Sequence, residues 1–234
     1  MKTAIMQPYF LPYLGYFQLI ASVDCFVVYD TIQYTKKGWI NRNQMLRNGA
    51  AVIFSIPLQK DSDLLDVRDR KVSPAFEPAK LCAQIAGAYH KSPEFTGTMR
   101  LIESILHHQS DNLSDFINYS LQRCCEHIGI TRPIKISSEV EGGAPTLQGV
   151  SRVIDICRRT GASTYVNSPG GRLLYSAQDF RAHGLELKFL QPRLPVYKQQ
   201  GGTFLSSLSI LDVMMFNSPK KIATEMLEAY DLVD

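Results

Sequence analysis

The hydrophobic pattern of this chain switches several times between short apolar runs and stripes of helical period. Residues 3–6 form the first apolar run. A Pro- and aromatic-rich stretch, Gln7-Pro8-Tyr9-Phe10-Leu11-Pro12-Tyr13, follows it, then one or two helical turns over 15–22, then a second, wholly apolar run over 25–29. An apolar run without alternation suits a strand covered on both faces, so this opening predicts two parallel strands joined by a helical crossover. A polar, aromatic segment, 30–47, leads to the turn signal Asn48-Gly49 and a third strand over 51–56. Residues 60–71 read as a charged loop with an edge strand at its end.

From Glu77 the period lengthens. Leu81, Cys82, Ile85 and Ala86 share one helical face. Ser92-Pro93 reads as N-cap and first residue of a second helix, whose stripe is Leu101, Ile102, Ile105 and Leu106. Leu113, Phe116, Ile117, Leu121, Cys124 and Ile128 mark a third helix, closed by Gly129. Residues 77–129 therefore read as a helical insertion or capping subdomain of a single α/β domain over 1–234. The α/β rhythm then resumes. Strands are expected over 133–136, 163–166 and 185–190, with a helix over 147–157 ended by Gly161. Ser209-Ile210-Leu211-Asp212 resembles a capping box with Asp in the third place, and Ser218-Pro219 opens a last helix. The fold class is α/β: a mostly parallel open sheet, Rossmann-like, with a helical insertion.

Composition narrows the classes of function. In 234 residues, 45% are hydrophobic and 20% charged, which supports a full core and excludes global disorder. Lys+Arg 25 against Asp+Glu 22 leaves +3, too even a balance to point to a nucleic acid, so none is expected as a partner. No apolar run reaches the roughly 20 residues of a membrane span, and Pro8 and Pro12 interrupt the start before a leader's apolar core forms, so a cytoplasmic protein without membrane insertion is expected. The five cysteines, Cys25, Cys82, Cys124, Cys125 and Cys157, are odd in number and hold no C-x-x-C pair, which speaks against a disulfide framework or zinc knuckle.

Three segments stand out from scaffold. The loop from Gln7 to Tyr16 leaves a strand at its carboxyl end, where open α/β sheets bind ligands; Gln7, Tyr9, Pro12 and Tyr13 line it, and Gly15 opens the helix that follows. A rigid aromatic plug over the sheet end explains it equally well. The segment after the second strand carries Asp30, Gln33, Lys36, Lys37, Trp39, Arg42 and Asn43, cations and amides beside rings, which suits a phosphate with a base or sugar. Its bland reading is an exposed basic loop. In Tyr165-Val166-Asn167-Ser168-Pro169-Gly170-Gly171 a strand enters a Gly-Gly turn able to offer backbone donors, with Tyr175 just beyond; an ordinary turn also accounts for it. Tyr197 and Gln199 begin a similar polar, Gly-rich stretch. Neither G-x-x-x-x-G-K-S/T, nor G-x-G-x-x-G, nor G-x-S-x-G occurs. Asp61-Ser62-Asp63 matches the D-x-D of metal-dependent glycosyltransferases, a pattern any acidic loop produces, and the five histidines lie at no metal-ligand spacing, so no metal is expected.

Met6-Gln7-Pro8-Tyr9-Phe10-Leu11-Pro12-Tyr13-Leu14-Gly15-Tyr16-Phe17 resembles the start of the WbqC-like protein family. So do Asp30 to Gln33, Trp39-Ile40-Asn41-Arg42-Asn43, Tyr165 with the Gly170-Gly171 turn and Tyr175, Tyr197 with Gln199, and Leu208-Ser209-Ile210-Leu211-Asp212, in the same order along nearly the whole chain. The resemblance implies a bacterial protein of O-antigen or other surface-polysaccharide synthesis. It further implies a transferase that attaches glycine or another acyl group to an amino sugar by amide formation. The opening unit is also similar to that of the nucleotidyltransferase-like HUP superfamily, which binds ATP at this sheet end and activates carboxylates as adenylates. Only Gly15 of that group's H-x-G-H motif is present; Tyr13 and Tyr16 stand in the places of its histidines. ATP is thus a possible cofactor, and a nucleotide or nucleotide sugar the expected small-molecule partner. In the enzyme reading Lys37 and Arg42 hold phosphate, Asn43, Asn167 and Gln199 orient polar groups, and Asp30 or Asp212 is the carboxylate base. The alternative is a non-catalytic nucleotide or nucleotide-sugar binder in an assembly complex.

Overall fold

The computed structural model describes residues 1–142 and 146–234. Among them are eight strands: β1 (Lys2–Met6), β2 (Cys25–Val28), β3 (Arg42–Arg47), β4 (Ala50–Ser55), β5 (Ile134–Ile136), β6 (Thr164–Asn167), β7 (Glu186–Pro192) and β8 (Tyr230–Val233). Six form one sheet in the order β5-β2-β1-β6-β7-β8. The first five are parallel and β8 runs antiparallel to β7. This is the mostly parallel, Rossmann-like α/β sheet that the pattern predicts. From β1 the chain moves outward to β2 and β5, then returns to place β6 on the other side of β1. The direction of winding therefore reverses between β1 and β6, the position at which open α/β sheets form a crevice at their carboxyl edge.

Alternation along the strands divides the core between two faces. Ala4, Phe26, Val28, Val166 and Leu190 look to one side, and Ile5, Val27, Tyr165, Leu187 and Phe189 to the other. The first side is covered by α1 (Leu14–Ser22), α2 (Pro78–Tyr89), α3 (Phe95–Leu106) and α4 (Leu113–His127), which share one apolar cluster with the sheet. The second is covered by α5 (Ser137–Glu141), α6 (Gly149–Arg159) and α7 (Ala177–Arg181). α8 (Ile210–Phe216) returns to the first side, and α9 (Pro219–Lys221) leads to β8. Asn112 caps α4 by accepting from the Asp115 N–H at 3.0 Å. Gly129, at φ +80, ends it, with the Ile130 N–H bonded to the Cys125 carbonyl at 2.8 Å.

Several local expectations are corrected. The third strand, β4, lies outside the main sheet and pairs only with β3, which hides in the polar segment before Asn48-Gly49. Asn48 and Gly49 take φ 53 and 76, the left-handed pair of a tight hairpin turn. The edge strand expected near residue 71 is replaced by a single 3₁₀ turn at Val67–Asp69 and isolated bridges, Leu58 to Val72 and Lys71 to Asn112. Ser92-Pro93 forms a turn before α3, whose N-cap is Glu94. β8 has no apolar run to announce it, because Tyr230 to Val233 is only half-buried.

Candidate functional site

The loop after β1 is held from three directions. Leu11 is fully buried with φ 43, a left-handed conformation unfavourable for a branched side chain. Its carbonyl accepts from the Ser209 hydroxyl at 2.7 Å and from the Asn43 side-chain amide, which also reaches the Phe10 carbonyl. The Phe10 N–H donates to Ile40 at 2.9 Å, the Ile210 N–H to Pro12 at 2.8 Å, and the Ser209 N–H to Gln44 at 3.0 Å. Thus the Gln7–Tyr13, Trp39–Gln44 and Leu208–Asp212 segments, far apart in sequence, form one knot. Asn43 acts in it as a brace for the loop. Gly15 is required by the ring of Tyr13: a Cβ there would lie 2.4 Å from Tyr13 Cε2. Tyr16 is buried and its hydroxyl donates to the Gln7 carbonyl at 2.9 Å. Burial raises the pKa of both Tyr13 and Tyr16, so both are neutral phenols near neutral pH. Gln7 is exposed, Pro12 is buried, and Tyr9 is half-buried with its ring edge-on to Tyr16.

Asp30 follows β2 and is 3% exposed. Its carboxylate accepts from the Ser137 hydroxyl at 2.7 Å, the Ser138 N–H at 3.0 Å and the Ser138 hydroxyl at 2.7 Å, so it caps the start of α5. Beside it lies a buried ion pair that the sequence did not reveal. Arg152 Nε donates to Glu141 Oε1 at 2.6 Å and Arg152 Nη2 to Oε2 at 2.7 Å, a bidentate geometry. Arg152 also donates to the Thr31 carbonyl at 2.9 Å and lies 4.7 Å from the Tyr29 ring centroid.

The basic segment divides in two. Lys36 pairs with Asp63 at 2.8 Å, while Lys37 is exposed and pairs with no carboxylate among the described residues. Arg42 donates through Nε to the Gly38 carbonyl at 2.8 Å and lies 5.8 Å from the ring centroid of Trp39, which is 39% exposed. Among the described residues Arg42 has no carboxylate partner either. Gln33 binds the Asp63 carbonyl at 2.8 Å, which closes the acidic loop over this segment.

On the other side of the reversal, Asn167 is buried at the end of β6 and its side-chain oxygen accepts from the Ser168 N–H at 2.7 Å. Gly171 sits directly against that side chain, where a Cβ would come within 2.2 Å of Asn167 Nδ2; Gly170 faces open space. Tyr165 is a core residue, stacked on Phe180 at 5.2 Å, with Tyr175 edge-on at 5.7 Å.

Asp212 is fully buried and does not complete the capping box. Ser209 caps α8 through the Leu211 N–H at 3.2 Å, while the Asp212 carboxylate accepts from the Tyr89 hydroxyl at 2.9 Å, the Tyr197 hydroxyl at 2.7 Å and Gln199 Nε2 at 2.8 Å. Burial lifts the carboxyl above its ordinary value, against the three donors, which lower it. Gln199 also exchanges bonds with the Leu205 backbone at 2.8 and 2.9 Å, so Asp212 ties down the strap between β7 and α8. Tyr89 carries no local motif; its role follows from a contact 123 residues away.

The candidates therefore lie around the carboxyl edge of the sheet on both of its faces. The loop after β1 and residues 40–44 are tied to the start of α8 through the backbone knot, Asp30 is bound to α5, and Asn167 to Gly171 run on from the end of β6. A cleft of about 670 Å³, lined in part by Phe76, His108 and Ser110, lies away from them. Asp61 and Asp63 are exposed, and among the described residues no three His, Cys, Asp or Glu side chains gather as a metal site. The cysteines are buried, and burial pushes Cys125 and Cys157 up to about 12, which keeps them as thiols near neutral pH. No described helix is long and apolar enough to cross a membrane.

The profile of the WbqC-like protein family matches residues 7–224. A curated relative from Mycobacterium tuberculosis, described as "Uncharacterized protein Rv1507c", is 28% identical over 219 residues, which cover 92% of this chain and 93% of that protein. No solved structure matches the chain.

Proposed function

The chain belongs to the WbqC-like protein family, and from that premise we propose that it is a transferase of bacterial surface-polysaccharide synthesis that acylates a nucleotide-linked amino sugar. The reading rests on one arrangement above all. The winding reversal between β1 and β6 sets the loop after β1 beside the Asn167–Gly171 turn. The segment carrying Lys37, Trp39 and Arg42 is bonded to that first loop through Phe10 and Ile40. Two cations without carboxylate partners among the described residues, next to a half-exposed indole, suit a diphosphate and a base. Gln7 and Tyr9 are free to meet the sugar. In the transfer, the sugar nitrogen attacks the acyl carbonyl carbon and a C–N bond forms. The bond from that carbon to its leaving oxygen breaks, the leaving group departs as its oxyanion (AMP from an acyl adenylate), and the N–H proton passes to that group's phosphate or to water. If ATP activates the acid, the carboxylate oxygen attacks the α-phosphorus and pyrophosphate leaves.

A second reading, a nucleotide-sugar binder without turnover, has a specific observation in its favour. Both candidate bases are engaged: Asp30 by three donors at the start of α5 and Asp212 by three donors in the core. Two experiments decide. Thermal shift with UDP, dTDP, ATP and a UDP-linked amino sugar reports binding, since a ligand held by the native state raises apparent stability. Arg42→Ala is expected to abolish the shift while its own melting stays cooperative; an undiminished shift removes Arg42 from the site. Incubation with ATP, glycine and the amino sugar is expected to yield a mass gain on the sugar. Binding without any mass gain supports the second reading.

A further inference from the structure

The largest exposures of apolar side chains after β6 and β7 fall on the two loops that leave those strands. Leu173 is 98% exposed and Leu174 68%, just beyond the Gly170-Gly171 turn; Val196, at 77%, is on the strap after β7. β6 and β7 are adjacent and parallel, so both loops leave the same edge of the sheet, with strand axes about 4.8 Å apart. The Arg172 guanidinium lies 5.4 Å from the ring centroid of Phe189, so the first loop folds back against β7. The charge on these segments has one sign. Residues 168–178 and 192–211 hold Arg172, Arg193 and Lys198 and no Asp or Glu. Arg193 reaches Asp231 at 3.5 Å, while Arg172 and Lys198 have no carboxylate partner among the described residues.

We infer that this edge docks on an anionic lipid surface, with Leu173, Leu174 and Val196 entering the headgroup layer and Arg172 and Lys198 meeting lipid phosphates. A protein partner is expected on a flatter, continuous apolar patch rimmed by polar groups of both signs. Here the apolar groups protrude one by one beside Arg172 and Lys198, two cations without carboxylate partners among the described residues, the pattern of an interfacial anchor. Docking at this edge brings the loops after β1 and β6 to the bilayer while leaving the helical layers in water. The inference goes beyond the acylation reading and stands without it.

The test is co-sedimentation of the full chain with vesicles of phosphatidylcholine alone and of phosphatidylcholine with phosphatidylglycerol. Sedimentation is expected with the second and to weaken with added salt. Paired substitution Leu173→Asp and Leu174→Asp is expected to lower the partition at least about tenfold. The pair Arg172→Gln and Lys198→Gln is expected to lower it about 25-fold, or about fivefold for each cation near the surface. All four side chains are exposed, so the thermal midpoints should match that of the parent chain; the nucleotide thermal shift, read separately, reports on Arg42 and not on docking. Three outcomes overturn the inference: no sedimentation with the anionic vesicles, equal sedimentation with both vesicle types, or a parent chain that elutes as an oligomer and becomes monomeric in the Leu173/Leu174 variant, which would assign the edge to a second copy.

Discussion

Removing the Asp212 carboxylate tests whether the strap between β7 and α8 is held by one buried acid. In Asp212→Ala, the Tyr89 hydroxyl loses its acceptor at a position that is 0% exposed, where water cannot replace it. An orphaned buried donor costs about 1–3 kcal/mol. Tyr197 and Gln199 are half-buried and can turn to solvent, so each forfeits only the net worth of a bond to a charged group, about 1.5–3 kcal/mol at most. The relieved burial of the charge offsets part of this sum. The orphaned Tyr89 donor and the two forfeited bonds, less that relief, put the expected loss at about 2–4 kcal/mol. It is a large share of the roughly 5–15 kcal/mol that holds a typical domain folded. Urea unfolding gives the difference from the midpoint and slope. Trypsin provides a second readout, because Lys198 lies on the strap and its cleavage should quicken well before global unfolding. Asp212→Asn keeps the shape and one acceptor oxygen and should cost less than the alanine variant. The reasoning fails if Asp212→Ala lies within about 0.5 kcal/mol of the parent, or if Lys198 is cut at the parental rate.

The same acid gives a pH test. Its folded pKa is raised by burial, so on going up in pH the unfolded chain releases this proton before the folded one does. Stability attached to the protonated group is therefore complete below the ordinary aspartate value and is lost as the pH rises through the folded value. The deficit of Asp212→Asn relative to the parent should widen on acidification from neutrality; a deficit that narrows contradicts the assigned direction. Asn43→Ala takes the side-chain donor from the Phe10 carbonyl and leaves the Leu11 carbonyl with Ser209 alone; it should destabilise by about 1–3 kcal/mol, measured by urea unfolding, with faster amide exchange in the loop after β1. Gly171→Ala forces Asn167 off the Ser168 N–H and should weaken the nucleotide thermal shift more than Gly170→Ala, which meets open space. Arg152→Met strands the Glu141 carboxylate at 6% exposure and should cost about 3–5 kcal/mol in the same unfolding assay.

What could be read from the chain followed the range of the physics involved. β1, α1 and β2 were legible because an unbroken apolar run, a proline-rich break and a second run act locally, and all four residues of β2 are buried. The hairpin turn was legible because Asn48-Gly49 is itself the device. β3 was not, since its alternation of Arg, Asn, Gln and Met is that of a strand packed on helices rather than on a sheet, and it reads as loop. Asp212 was open between cap and site because its fate is set by Tyr89, Tyr197 and Gln199, none of them within one helical turn. The Arg152–Glu141 pair lay beyond reach for the same reason: nothing around either residue tells of a partner buried with it. From the sequence Gly15 reads as a helix start, whereas its constraint is the Tyr13 ring folded over it.

A ligand crevice at the winding reversal between β1 and β6 has a signature in solution. Hydrogen exchange read by mass spectrometry tests it most directly, with and without saturating UDP-linked amino sugar. The account predicts slower exchange confined to residues 7–13, 36–43 and 167–171. Protection that falls instead on the distant cleft around Phe76 and His108, or no change anywhere in the chain, contradicts it.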